Sequence, residues 1–240
     1  MRCFRNYLYI ISLLFLFVTN GVFAINTGFS TEELSENDRS TFASNINISV
    51  LKEKPVDRAI ECFDVSENGM IAIGQDGIEE KVLCVYSSDG EFQYGYTFNC
   101  TQSFGVEWDG QDINIYFVRS DVLLTVHKEG EIIDIVKVQN TTENNTYSNY
   151  MLCSTERTSG DTKYTIRNDM GFLNAFSSSY SQLIVTKSTG EEIILYDVNS
   201  DQLTKTLTVF ILAVIFFLLA VGVITWQFIR LKRTYSGTIK

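Results

Sequence analysis

Between Lys205 and Arg230 the chain carries 24 residues, Thr206 to Ile229, without a charged side chain. The heart of this run, Val209 to Ile224, is apolar on every face a helix would present, whereas a surface helix of a soluble protein keeps one polar face. Its length suffices for about 30 Å of hydrocarbon. Residues 206–229 are therefore expected to cross a membrane once, with Trp226 at an interface. Arg230, Lys232, Arg233 and Lys240 follow with no acid, so the positive-inside rule places the tail, 230–240, in the cytoplasm and residues 25–204 outside. A tail of eleven residues is too short for a folded effector, and any inward signal would pass through a partner or the helix itself.

The other end has the order of a secretory signal: Arg2 and Arg5, an apolar run from Leu8 to Val18, then Val22-Phe23-Ala24. Cleavage after Ala24 is expected, because the run is shorter than the ~20 apolar residues of a membrane span. The chain then reads as a single-pass protein of the cell membrane, with its N-terminus outside.

All 29 acidic residues fall within 25–204, which leaves that segment with a net charge of −17. Such a surface repels phosphate backbones and excludes nucleic acid as a ligand. Four cysteines remain after signal removal, Cys62, Cys84, Cys100 and Cys153. They could form two disulfides in an oxidising compartment or stay as buried thiols, and their wide spacing fits no zinc pattern.

Residues 25–57 are polar and read as a lead-in, with Thr31–Glu36 able to form a short helical turn. From Arg58 onward, short apolar runs alternate with Gly, Asn and Asp, the pattern of an all-β domain over 58–198. A hairpin signal occurs three times, at Val85 to Phe92, Val126 to Ile132 and Val185 to Glu191, each with Gly-Glu at the turn. A strand end precedes each of them: Ile73-Gly74-Gln75-Asp76, Val118-Arg119-Ser120-Asp121 and Ile166-Arg167-Asn168-Asp169. Further strands are expected before the turns at Gly69, Gly110 and Gly160, the last of them at Met151 to Thr155. The recurrence implies three four-stranded antiparallel units, about 58–98, 102–138 and 147–198, with the polar run Gln139 to Thr146 between the last two. This architecture resembles the blades of a β-propeller, without any subfamily signature. Three blades are fewer than a closed propeller has, so the resemblance implies an open propeller-like arc, with a β-sandwich as the alternative. An arc leaves bare sheet edges that invite pairing. Asn45 to Leu51 alternates like a strand and is expected to cover one edge, and a homodimer would be another solution.

Chemistry-bearing residues are sparse. His127 lacks a second histidine for a metal set and is expected on a solvent-facing strand. Glu107, Asp109 and Asp112 surround Trp108, a grouping that could serve a glycan hydrolase or lyase. Asp197-x-Asn199-x-Asp201 imitates the start of a calcium loop but lacks its glycine and its final glutamate, so 199–205 reads as a polar spacer. Arg119 and Arg167 share a position in their units and would suit an anionic ligand if they faced a common channel. Phe92, Tyr94, Tyr96 and Phe98 alternate along one strand and are expected on one face, as packing or as a platform. No catalytic nucleophile motif, metal set or cofactor loop is present. The expectation is a membrane-tethered binding module for an extracytoplasmic protein or glycan. The alternatives are the envelope hydrolase or lyase and a sensor subunit signalling through a membrane partner.

Overall fold

A computed structural model describes residues 27–75, 77 and 80–237, with side chains placed as far as Arg230. The expected signal segment, Asp76 and the side chains of Lys232, Arg233 and Lys240 lie outside the described residues.

Three open antiparallel sheets form the β region. Sheet 1 is a meander of β3 (Ile60–Val65), β4 (Ile71–Gln75), β5 (Glu80–Tyr86) and β6 (Phe92–Asn99). Sheet 2 is built likewise from β7 (Phe104–Asp109), β8 (Asp112–Phe117), β9 (Val122–Val126) and β10 (Ile132–Val138). Sheet 3 comprises β11 (Glu156–Ser159), β12 (Thr162–Arg167), β13 (Gln182–Thr186) and β14 (Glu192–Asp197). Gly90, Gly130 and Gly190 close the last hairpin of each sheet at φ 82–83°, where a side chain would be strained. The same backbone bond recurs at all three, from the glycine N–H to the carbonyl of Ser87, His127 and Lys187.

The sheets stack face to face and do not close. Sheet 1 lies in the middle. Leu83, Val85, Tyr96 and Phe98 pack against Phe104, Val106, Ile115 and Leu124 of sheet 2. From its other face, Phe63, Ile73, Val82 and Tyr86 pack against Tyr164, Leu183, Val185 and Tyr196 of sheet 3. Burial on both faces explains why β4 and β5 read as nearly unbroken apolar runs rather than alternating ones. Gly74 permits the close approach of the first two layers: a Cβ there would meet Cys62 Sγ at 2.4 Å and the Phe104 ring at 2.8 Å. The arrangement is therefore sandwich-like, which corrects the propeller-like arc, and the likeness to blades is limited to the four-strand meanders.

The N-terminal segment is built into the sheets. β1 (Thr31–Glu33) pairs with β10, and β2 (Ser49–Leu51) pairs with β6, giving sheets 1 and 2 a fifth strand each. Helix α1 (Glu36–Ile46) joins them, capped where Ser35 Oγ accepts the Asp38 N–H at 3.2 Å. Two expectations change here: Thr31–Glu33 is a strand rather than a helical turn, and Asn45 and Ile46 end α1 instead of opening a strand. Arg39 holds α1 to sheet 2 by donating to the Ile135 carbonyl at 2.9 Å and pairing with Asp134.

Helix α2 (Thr142–Cys153) occupies the stretch where a polar separator and the first strand of the third unit were expected, and β11 begins only at Glu156. Helix α3 (Asn199–Gly237) is continuous, so the expected spacer 199–205 forms its first turns. Its window of mean hydropathy 3.1 is long and apolar enough to cross a membrane, by length and composition.

Candidate functional site

The inner strands β3, β7 and β11 meet at a polar junction sealed by α2. Arg157 of β11 donates from Nε to Asp64 Oδ1 of β3 at 2.9 Å, and the backbone N–H of Trp108 on β7 donates to Asp64 Oδ2 at 2.9 Å. One carboxylate thus touches all three sheets. The Arg157 guanidinium also donates to the Glu156 carbonyl at 3.1 Å and lies 4.6 Å from the Tyr150 ring centre. Burial raises the Asp64 carboxyl above its usual range, although the Trp108 N–H and Arg157 pull the other way.

Beside it, Glu107 is buried with both oxygens engaged. Oε1 accepts from the Thr27 hydroxyl and from Asn114 Nδ2 at 3.1 Å, and Oε2 accepts from the Tyr147 hydroxyl at 2.5 Å. Asn114 Oδ1 in turn accepts from Thr125 Oγ1 at 2.7 Å, so a buried polar row crosses β7, β8 and β9. Burial raises Glu107 as well, opposed by these hydrogen bonds. A carboxylate filled by three donors from the N-terminal segment, sheet 2 and α2 acts as a clamp, not as an acid facing a substrate. A polar cleft of about 390 Å³ opens next to the junction, lined by Asp64, Ser66, Glu67, Asn68, Trp108 and Gln111. Trp108 is half-buried there, and its indole N–H is a buried donor with no hydrogen-bond partner.

The acids around Trp108 diverge. Glu107 points into the clamp, and Asp112 pairs with Nδ1 of His127, whose Nε2 lies 2.8 Å from Glu129 Oε2. The hydrogen bond that the protonated ring donates to Asp112 is the main reason that His127 is raised above its usual value. His127 sits in the β9–β10 turn just after the strand, and its carbonyl accepts from the Tyr96 hydroxyl at 2.9 Å.

Arg119 and Arg167 do not converge. Arg119 is exposed in the β8–β9 turn of sheet 2, while Arg167 ends β12 of sheet 3, 3.9 Å from Glu192, with sheet 1 between them. The aromatic stripe is split by a bulge. Val85 pairs with Tyr94 but Tyr86 pairs with Phe92, leaving Gln93 extra. Phe92 therefore turns toward sheet 3, while Tyr94, Tyr96 and Phe98 face sheet 2, with Tyr96 and Phe98 fully buried.

Cys62, Cys84, Cys100 and Cys153 are free thiols, the first three buried and Cys153 exposed. Cys62 and Cys84 face opposite sides of sheet 1, and burial pushes the Cys84 thiol up to about 12. In the calcium-like stretch, Asp197 accepts from the Asn199 N–H at 2.8 Å, and Asn199 Oδ1 accepts from Ser181 Oγ at 2.9 Å. Among the described residues no group of His, Cys, Asp and Glu could hold a metal ion.

The outer strands of the sheets differ in one respect. β6 and β10 are covered by β2 and β1, whereas no strand among the described residues pairs with the outer side of β14. That strand carries Glu192, Ile194 and Asp197 exposed, with Ile194 at 50%. The β5–β6 turn touches β14 at Leu195, whose carbonyl oxygen a Cβ on Gly90 would meet at 3.4 Å.

No protein-family model matches the chain, and no curated protein matches it.

Sequence reasoning missed Asp64 and Arg157; it expected a strand after Gly190-Glu191, where β14 lies, and bare sheet edges, but did not say which edge stays open. One signal was present: Glu107 and Arg157 each stand three residues before the turn glycine, Gly110 or Gly160, on a first strand. A charged residue at the same hairpin position of two units marks buried side chains, Glu107 and Arg157, more directly than arginines at strand ends.

Proposed function

We propose that the chain is a membrane-anchored extracytoplasmic interaction module that takes an extended segment of another protein onto the outer edge of β14. The observation behind this reading is that the chain already uses this mode on itself. Strands of three residues, β1 and β2, fill the corresponding edges of sheets 2 and 1, and β14 alone among the outer strands of the described meanders is left open. An open edge presents unpaired backbone N–H and C=O groups, and strand addition satisfies them. Ile194 supplies an apolar anchor, while Glu191, Glu192 and Asp197 favour a segment with basic residues between apolar ones. On this reading α3 is the anchor and, by the positive-inside rule, its basic end faces the cytoplasm.

The geometry of Glu107 supports binding over glycan cleavage, since a general acid must reach the leaving group and both oxygens of this buried carboxyl are engaged, among the described residues, by Thr27, Asn114 and Tyr147. The sensor reading draws on the continuity of α3 from the base of sheet 3 to Gly237.

The test is fluorescence anisotropy of a short labelled peptide of alternating valine and lysine, titrated with the full chain in nanodiscs. Binding is expected, with affinity lowered about tenfold by Ile194→Lys through loss of the anchor and charge repulsion. A peptide with proline at alternate positions should not bind. Equal binding of both peptides, or no effect of Ile194→Lys, would refute strand addition at β14.

A further inference from the structure

The β12–β13 connection wraps the base of α3. Gln202 Nε2 donates to the Ser179 carbonyl at 2.9 Å, Asn199 Nδ2 donates to the Asp169 carbonyl at 2.9 Å, and the Val198 N–H donates to the Ser181 carbonyl at 2.8 Å. Within this connection a 3₁₀ turn, η1 (Gly171–Phe176), lies against α3, with Leu173 inside it and Met170 before it both buried. Its sequence, Gly171-Phe-Leu-Asn-Ala-Phe176, carries no charge. Phe172 and Phe176 are 72% and 62% exposed.

Two large apolar side chains left bare at one spot need a cover, and their position says which. Phe172 and Phe176 lie with ring centres 6.1 and 5.5 Å from Phe210 of α3. Phe210 is four residues inside the uncharged run that begins at Thr206, so it stands ~6 Å below the start of the span along the helix axis. The two rings are therefore level with hydrocarbon whenever α3 crosses a bilayer. Between η1 and α3 runs an apolar groove of about 440 Å³, lined by Phe176, Val209, Phe210, Ala213 and Val214, with Lys205 and Thr206 at its upper end. A groove with apolar walls and a cationic mouth has the chemistry of one phospholipid: an acyl chain along the walls and the headgroup phosphate at the lysine.

We infer that η1 enters the outer leaflet beside α3 and that the groove between them holds a phospholipid acyl chain, with Lys205 at the phosphate. The inference rests on α3 spanning the membrane and not on the β14 edge, so either can fail alone. With α3 and η1 both embedded and joined by the clasp at Asn199 and Gln202, the sheets are held in one orientation against the bilayer.

The experiment places Phe176→Trp in the full chain, reconstituted at one chain per nanodisc in phosphatidylcholine with brominated acyl chains. The added emission, taken as the difference from the native chain with Trp108 and Trp226, should be quenched by bromine and protected from acrylamide. Phe172→Trp gives a second probe should the first variant fold poorly. Emission quenched by acrylamide and indifferent to bromine would overturn the inference. So would bromine quenching that disappears in discs holding two chains, which would mean that a second copy covers the site.

Discussion

Arg157 Nε donates to Asp64 Oδ1 at 2.9 Å, with the two side chains only 6% and 16% exposed, and this ion pair ties sheet 3 to sheet 1. The other oxygen of Asp64 takes the Trp108 N–H of sheet 2, so the pair stands where all three layers meet. Removing one member leaves a buried charge alone, which costs about 3–5 kcal/mol. Arg157→Met should therefore lower the stability of the full chain by about 3 kcal/mol, read by thermal or urea unfolding in detergent. The double variant Asp64→Asn with Arg157→Met should regain much of that loss, because no unpaired charge remains. A double variant as unstable as the sum of the two single ones would show that the pair is not a coupled unit.

Glu107 gives the pH dependence. Burial raises its carboxyl pKa in the folded chain, so the folded state holds the proton more readily than the unfolded state does. Its contribution to stability is full below the ordinary carboxyl value of about 4.3 and is lost as pH rises through the elevated value. Glu107→Gln keeps the shape and removes the ionisation. The variant should match or exceed the native melting temperature at about pH 8, and the difference should shrink toward about pH 4. A difference that grows on acidification would contradict the assigned direction.

The turn glycines and the two-face apolar runs were legible because local rules control them. A positive-φ turn needs glycine, and strands buried on both faces lose their alternation. The rest depended on tertiary partners. α2 has no apolar stripe to announce a helix; it is held by Asn144 on Ser30, Tyr147 on Glu107 and buried Met151. Phe92 left its stripe because one extra residue, Gln93, shifts the register, and alternation alone carries no sign of a bulge. Arg119 and Arg167 matched in sequence but landed on the two outer layers, while the arginine that joins layers, Arg157, fell just past the strand expected at Met151 to Thr155, because helix α2 takes that stretch and β11 starts only at Glu156.

The N-terminal strands are part of the fold, and Gly130 tests this with one atom group. It holds φ +83°, and a Cβ on it would meet Val50 of β2 at 2.4 Å. Gly130→Ala should destabilise the chain by more than ~1 kcal/mol and speed hydrogen exchange in β6. Deleting residues 27–51 should bare β6 and β10 together and drive the protein to aggregate. A monomeric truncation with an unchanged melting temperature would show that these strands are dispensable.

The thiols predict a simple count. In the folded chain a maleimide should label Cys153 and leave Cys62, Cys84 and Cys100 unmodified, whereas after unfolding all four should react. Mass spectrometry of labelled peptides reads both states. Native labelling at Cys62, Cys84 or Cys100, or no labelling of a pair even after unfolding, would contradict the free, buried assignment.

Hydrogen–deuterium exchange of the full chain in nanodiscs tests the open edge most directly. The outward amides of β6 and β10 should be protected by β2 and β1, while those of β14 around Ile194 should exchange fast and become protected when the valine–lysine peptide is added. Amides of β14 that exchange as slowly as those of β6 and β10 with no peptide present would mean that the edge is already filled, and the proposed docking strand would be lost.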